Sequence, residues 1–362
     1  MSATVFEQLP EQDEAKRLLL AALREGPANA YLFHGPQGVG KRSAAFAFAA
    51  GLLQDPRRVE RRAHPDLYVL EPLGDQIRID AVRDLRHDLH MRPFEADRRV
   101  YLVLGADLMN EDAADALLKD LEEPPDYAVL VLVASRPSRL PETILSRCQA
   151  VPFRRLSRPA VERHLAAVRP DVDRSARAAA SRLAAGRLDR AERLLDAGAS
   201  ARRTELLELA RSVYAGERFD PGAAARTVVE AARSAGQVAA KAEGDGVEGT
   251  AREREQRARR IARGAEREEI LRSLDLLAGW YRDVLAASVG AVGVALNADR
   301  ASELEEDGAR IPATAAEEAV EAVLATQRSF ELNVSPALAL EALFVRVSRS
   351  LGRAVAGAGV QR

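Results

Sequence analysis

The run Gly35-Pro36-Gln37-Gly38-Val39-Gly40-Lys41 holds the residue types most suited to chemistry in this chain. It fits a template of Gly, four residues, Gly and Lys. In such a loop the backbone N–H groups turn inward around an anion, a following helix offers its positive N-terminus, and the lysine adds a point charge. Gly35, Gly38, Gly40 and Lys41 are therefore the expected phosphate-binding residues. The template calls next for Ser or Thr, whose hydroxyl holds the Mg²⁺ that bridges the phosphates. Arg42 stands there and cannot ligate a cation. Ser43 is no substitute, because one helical step turns a side chain by about 100°. The loop is expected to hold ATP or ADP without turnover, if it holds a nucleotide, and to bind no metal.

A loop of this kind needs a strand before it and a helix after it. AYLFH from Ala30 and the alanine-rich SAAFAFAAGLL from Ser43 supply both. VYLVL at 100–104 and VLVLVA at 129–134 have no polar alternation, as in strands buried on both faces of a parallel sheet. Between them a helix begins near Asn110 and stops at Pro124 and Pro125. After Phe153 the composition turns to Arg, Ala and Leu, with helices over 157–168 and 173–196. A further helical block starts near Thr204, interrupted by the Gly- and charge-rich EGDGVEGT at 243–250, read as a mobile loop. The expected fold is α/β plus all-α: a parallel-sheet core over 1–155, a small helical domain over 156–203 and a helical domain over 204–362.

At 362 residues the chain exceeds a single ordinary core, and 47% apolar with only 4% aromatic residues favours helix. A net charge of −2 excludes a polyelectrolyte partner for nucleic acid, so any DNA contact is local. One cysteine, Cys148, excludes an internal disulfide and a four-thiolate metal site and fits a reducing compartment. No run of 18 apolar residues and no cationic start before an apolar run point to a membrane or to secretion, so the cytoplasm is the expected location.

The stretch from Ala30 to Gln149 resembles the AAA+ proteins of bacterial DNA polymerase III clamp loaders, with ALLKDLEEPP at 116–125 intact and SRLPETILSRCQAVPF at 138–153 in place. The resemblance implies an AAA+ core, a helical lid and a C-terminal collar, the last matched by WYRDVL at 280–285 and LNVSPALALEAL at 332–343. It implies that Arg147 projects into a neighbour's ATP site, where a cation stabilises the transferring phosphate. It also implies partners of gamma/tau and delta type and, through the complex, a sliding clamp and primer-template DNA. In the same register the metal-holding acids are replaced by Leu104 and Gly105, and only Asp107 survives. In the lid the γ-phosphate-sensing arginine falls on Asp189, with Arg190 adjacent. This pattern is that of a member that turns over no ATP and lends its arginine. Gly35, Gly40, Lys41 and Asp107 favour the alternative, an active gamma/tau-type ATPase; Arg42, Leu104 and Gly105 oppose it. A nucleotide-binding switch without turnover is a third reading.

Many family members carry a four-cysteine zinc module before a His-Pro-Asp triplet. Here LLQDPRRVERRAHPD at 52–66 keeps His64, Pro65 and Asp66 without a cysteine, so no zinc is expected. His87 and His90 near Asp84 and Asp88 read as a solvated helix face, as does the charged REREQRARRIARGAEREE. Arg154, Arg155, Arg158 and Arg163 read as surface, and Cys148 as packing.

Overall fold

The computed structural model describes residues 4–215, 219–243, 250–330, 332 and 334–358. They form two compact units, Met1–Glu192 and Arg193–Arg362.

The first unit is built on five parallel strands: β1 (Ala30–His34), β2 (Leu67–Leu70), β3 (Arg99–Leu104), β4 (Ala128–Ala134) and β5 (Gln149–Pro152), in the order β2-β3-β4-β1-β5. The helices are α1 (Asp13–Glu25), α2 (Lys41–Leu53), α3 (Pro56–Glu60), α4 (Ile79–Leu89), α5 (Glu111–Glu122) and α6 (Glu142–Leu145). The unbroken apolar runs of β3 and β4 are explained by helices on both faces. Successive side chains point to opposite sides of a strand. Val100, Leu102, Leu104, Val129, Val131 and Val133 pack with α1 and α2, whereas Tyr101, Val103, Leu130 and Leu132 pack with α4 and α5. β2 and β5 were not expected. They are edge strands of four residues: the apolar run of β2, LYVL, is short and mostly half-buried, and Gln149 and Ala150 of β5 are exposed. α5 starts where expected, with Asn110 Oδ1 accepting from the Ala113 N–H at 3.2 Å, and ends before Pro124.

Three further helices follow, α7 (Arg158–Val168), α8 (Arg174–Leu183) and α9 (Leu188–Arg193), over the segment expected as a lid. The expected helix over 173–196 is thus broken. The chain turns through positive φ at Ala185 (49°) and Gly186 (81°), and a Cβ at Gly186 would come 2.6 Å from the Leu156 carbonyl oxygen. Only glycine fits that approach. The break is imposed by tertiary contact, not by local propensity.

The second unit has α10 (Ala197–Ala215), α11 (Pro221–Glu243), α12 (Ala251–Ser288), α13 (Ala301–Arg310), α14 (Ala313–Ser329) and α15 (Pro336–Ala358). Of the loop expected at 243–250, Glu243 ends α11 and Thr250 caps α12 in a reciprocal box with Glu253; residues 244–249 lie outside the described residues. Asn333 of the segment at 332–343 also lies outside them. The charged stretch is the N-terminal half of α12, largely exposed or half-buried.

WYRDVL has a structural explanation. Trp280 Nε1 donates to Tyr214 Oη at 3.0 Å, and that hydroxyl donates to Asp307 Oδ2 at 2.6 Å. Arg211 holds the same carboxylate with two bonds of 2.9 and 3.0 Å. Asp283 accepts from the backbone N–H groups of Leu296 and Asn297 at 3.0 and 2.7 Å. These buried polar groups are all satisfied, as a helical core requires. Among the described residues no helix is long and apolar enough to cross a membrane.

Candidate functional site

In a parallel sheet the loops that bind ligands lie beyond the carboxyl ends of the strands. β4 lies between β1 and β3, so the loop after β1, the turn after β3 and the tip of β4 converge. The structure brings Gly35, Gly38, Gly40 and Lys41 together there with Asp107, which follows β3, and Ser135, which follows β4.

Lys41 opens α2 and is 5% exposed. Its Nζ donates to the Gly35 and Pro36 carbonyls at 2.7 and 2.6 Å and to Ser135 Oγ at 3.2 Å. Burial lowers its pKa from the ordinary 10.5 to about 8, even though Asp107 and Asp189 act in the opposite direction. Asp107 Oδ1 and Oδ2 accept from the backbone N–H groups of Ser135 and Arg136 at 3.0 and 3.2 Å. The surviving acid is therefore a clasp between the β3 and β4 ends.

The remaining positions hold no oxygen ligand for a cation. Leu104 is buried in the core and Gly105 takes a left-handed turn with φ 75°. Arg42 pairs with Glu71 at 2.6 Å and lies over the Phe46 ring at 5.6 Å, a ring it shares with Arg62. The donor set does not fit the Mg²⁺ that the fold family implies, since one carboxylate already engaged by two N–H groups leaves nothing to complete an octahedral shell.

The loop's own backbone is tied down on several sides. A Cβ at Gly35 would meet the Phe153 carbonyl oxygen at 2.1 Å, and one at Gly40 would meet Leu9 at 2.6 Å. Gln12 Nε2 donates to the Val39 carbonyl at 3.3 Å and to that of Arg154 at 2.7 Å, and its Oε1 accepts from the Arg154 N–H at 3.0 Å. Next to it Glu11 accepts from the N–H and hydroxyl of Ser157, the residue that caps α7. From the start of α9, the Leu188 N–H donates to the Gly38 carbonyl at 2.6 Å. Asp189, not a basic residue, abuts Gly38, and Arg187 braces that carboxylate at 2.9 Å.

Gln12, Ser135 and the seating of Asp189 were not foreseen as parts of the site. Each acts across a long sequence separation. The only advance signal was the acid at the lid position.

Arg147 lies elsewhere. It precedes β5, and Gln149 pairs with Tyr31, whereas the loop leaves the other end of β1 after His34. The two are separated by a strand length, on the order of 15 Å for five residues at about 3.3 Å each. Arg147 cannot reach its own loop. Its guanidinium donates to Glu122 of α5 and, at 2.9 Å, to the Thr143 carbonyl, and the side chain is 33% exposed.

His64 and Asp66 order a neighbouring turn. The Asp66 carboxylate accepts from the N–H groups of Phe94, Glu95 and Ala96 at 2.6, 3.0 and 2.9 Å, and His64 Nδ1 accepts from the Asp66 N–H at 3.1 Å. His90 is exposed but reaches the buried Asp120, which Arg86 also holds. Cys148 packs against the α4/α5 side of the sheet, and burial pushes its thiol up to about 12.

The sequence match to known proteins covers the same region. Residues 11–157 match the family profile described as DNA polymerase III, delta subunit. DNA polymerase III subunit delta' of Bacillus subtilis is 35% identical over 38% of this chain and 46% of its own length; that of Pseudomonas aeruginosa is 43% identical over 35% and 44%. Subunit tau of B. subtilis is 32% identical over 43% of this chain and 30% of its own length. The chain thus spans under half the length of the curated relatives it matches. Through its parallel-sheet unit, this chain is similar to subunits of the DNA polymerase III clamp loader.

Proposed function

We propose that this chain is the delta prime-type stator of a clamp loader. It assembles with gamma/tau-type motor subunits and a delta subunit, helps place a sliding clamp on primer-template DNA, and lends Arg147 to a neighbour's ATP while hydrolysing none itself. The observation that carries the reading is the division of labour along the sheet. The loop end has Arg42, Leu104 and Gly105 where magnesium needs oxygen, and the opposite end presents a partly exposed arginine that its own loop cannot use. Phosphoryl transfer depends on metal and charge positioning, so a chain built this way contributes only from the arginine end. The Glu122 contact is a half-exposed ion pair, worth about 1 kcal/mol or less, and yields readily to a phosphate.

The test is steady-state ATP hydrolysis by a motor subunit reconstituted with this chain. The isolated chain shows no turnover. Arg147→Ala lowers the stimulated rate at least tenfold, a threshold well below the roughly 10³ to 10⁵ that a finger in trans can supply, and Lys41→Ala leaves it within about twofold. Similarity to tau and the intact Lys41 favour a second reading, an active gamma/tau-type ATPase. Turnover by the isolated chain that Lys41→Ala abolishes would establish that reading instead.

A further inference from the structure

We infer that Asp189 is the resident anion of the phosphate loop: its carboxylate, braced by Arg187, stands where a phosphate would bind and closes the loop to nucleoside triphosphates. This deepens the stator reading but needs no partner chain.

Two contacts put the lid on the loop, and a third, within the lid, fixes the carboxylate. A Cβ at Gly38 would come within 1.7 Å of Asp189 Oδ1, so the carboxylate rests directly on the backbone that a phosphate would approach. The adjacent Leu188 N–H bonds the Gly38 carbonyl at 2.6 Å. Arg187 fixes both carboxylate oxygens, Nε to Oδ1 at 3.2 Å and Nη2 to Oδ2 at 2.9 Å. The backbone is shaped for this placement: the chain turns at Ala185 and Gly186, and the Leu156 N–H holds the Gly186 carbonyl at 3.1 Å.

The loop is adapted to the closed state. The carbonyls of Gly35, Pro36, Gly38 and Val39 are all engaged, by Lys41, Leu188 and Gln12. Lys41 therefore faces its own backbone and not an incoming anion. Its charge is balanced by Asp107 on one side and Asp189 on the other. A nucleotide would have to displace a like-charged group in contact with its own phosphates.

Binding of radiolabelled ATP to the full chain, without Mg²⁺ and by equilibrium dialysis, tests the inference, with inorganic phosphate as competitor. Wild type shows no saturable binding up to about 1 mM. Asp189→Ala binds at least tenfold more tightly, at the low end of what a contacting like charge costs, of order 10³ at about 4 Å. Lys41→Ala added to Asp189→Ala removes the gained binding, and phosphate competes for it. Asp189→Asn, which keeps the shape and removes the charge, is read by the same criterion if the alanine variant does not fold. A folded Asp189 variant that binds no better than wild type overturns the inference, as does wild type that binds as tightly as the variant or releases nucleotide on denaturation. The stator reading is decided separately, by the partner's ATPase with Arg147→Ala.

Discussion

Replacing Lys41 by Met isolates the energetics of a buried cation. In the folded chain Lys41 titrates near 8, against 10.5 when exposed. That gap corresponds to about 3 kcal/mol of unfavourable burial while the amine is charged. Against it stand three hydrogen bonds, to Gly35 O, Pro36 O and Ser135 Oγ, each worth about 1 kcal/mol. The two contributions nearly cancel at pH 7, so Lys41→Met is expected within about 1 kcal/mol of wild type there. Their pH dependence does not cancel. Between about 8 and 10.5 the unfolded chain binds the proton more tightly than the folded chain, so stability rises with pH through that window. From pH 7 to pH 9 the wild type gains about 1.4 kcal/mol from this residue, and the Met variant gains none. Cys148, held near 12 by burial, acts in the opposite direction, but equally in both proteins. Urea unfolding followed by far-ultraviolet circular dichroism at the two pH values measures the difference. A wild-type advantage that is unchanged between them, within about 0.3 kcal/mol, or that shrinks at pH 9, refutes the burial argument.

Two further outcomes concern stability. Asp66→Ala leaves three backbone N–H groups without their acceptor and is expected to cost about 2–3 kcal/mol in urea unfolding at pH 6. Burial pushes the Asp66 carboxyl up, but the three N–H bonds outweigh it and hold it below the usual range, so the wild-type advantage shrinks as the pH falls through that depressed value. Asp307→Ala leaves Arg211 without its bidentate partner and Tyr214 without its acceptor, at a cost of about 3–5 kcal/mol to the second unit. Thermal unfolding of the variant measures it.

The parts of the fold legible in the sequence were those coded locally. The glycine loop, the strands at 100–104 and 129–134 and the Asn110-capped helix each announce themselves within a dozen residues, because periodicity and capping are short-range properties. β2 and β5 did not, since the LYVL run of β2 is only four residues long and β5, with Gln149 and Ala150 exposed, has no apolar run at all. The helix break at Ala185–Gly186 was hidden because its cause is the Leu156 backbone, thirty residues earlier. In the site, the missing ligands at 42, 104 and 105 could be read as substitutions in a pattern. What replaces them could not. Gln12 reaches Arg154 across 142 positions, and only the folded chain shows that Asp189, not Arg190, is the lid residue set against Gly38.

The chain has one tryptophan, and Trp280 is fully enclosed in the second unit with its indole N–H bonded to Tyr214. Nature has thereby supplied a selective optical label. Indole emission follows the melting of Arg193–Arg362 and is blind to Met1–Glu192, whereas the amide circular dichroism band sums both. Recorded in one titration, curves that separate would expose a species with one half molten, and curves that superimpose would show the halves yielding as one.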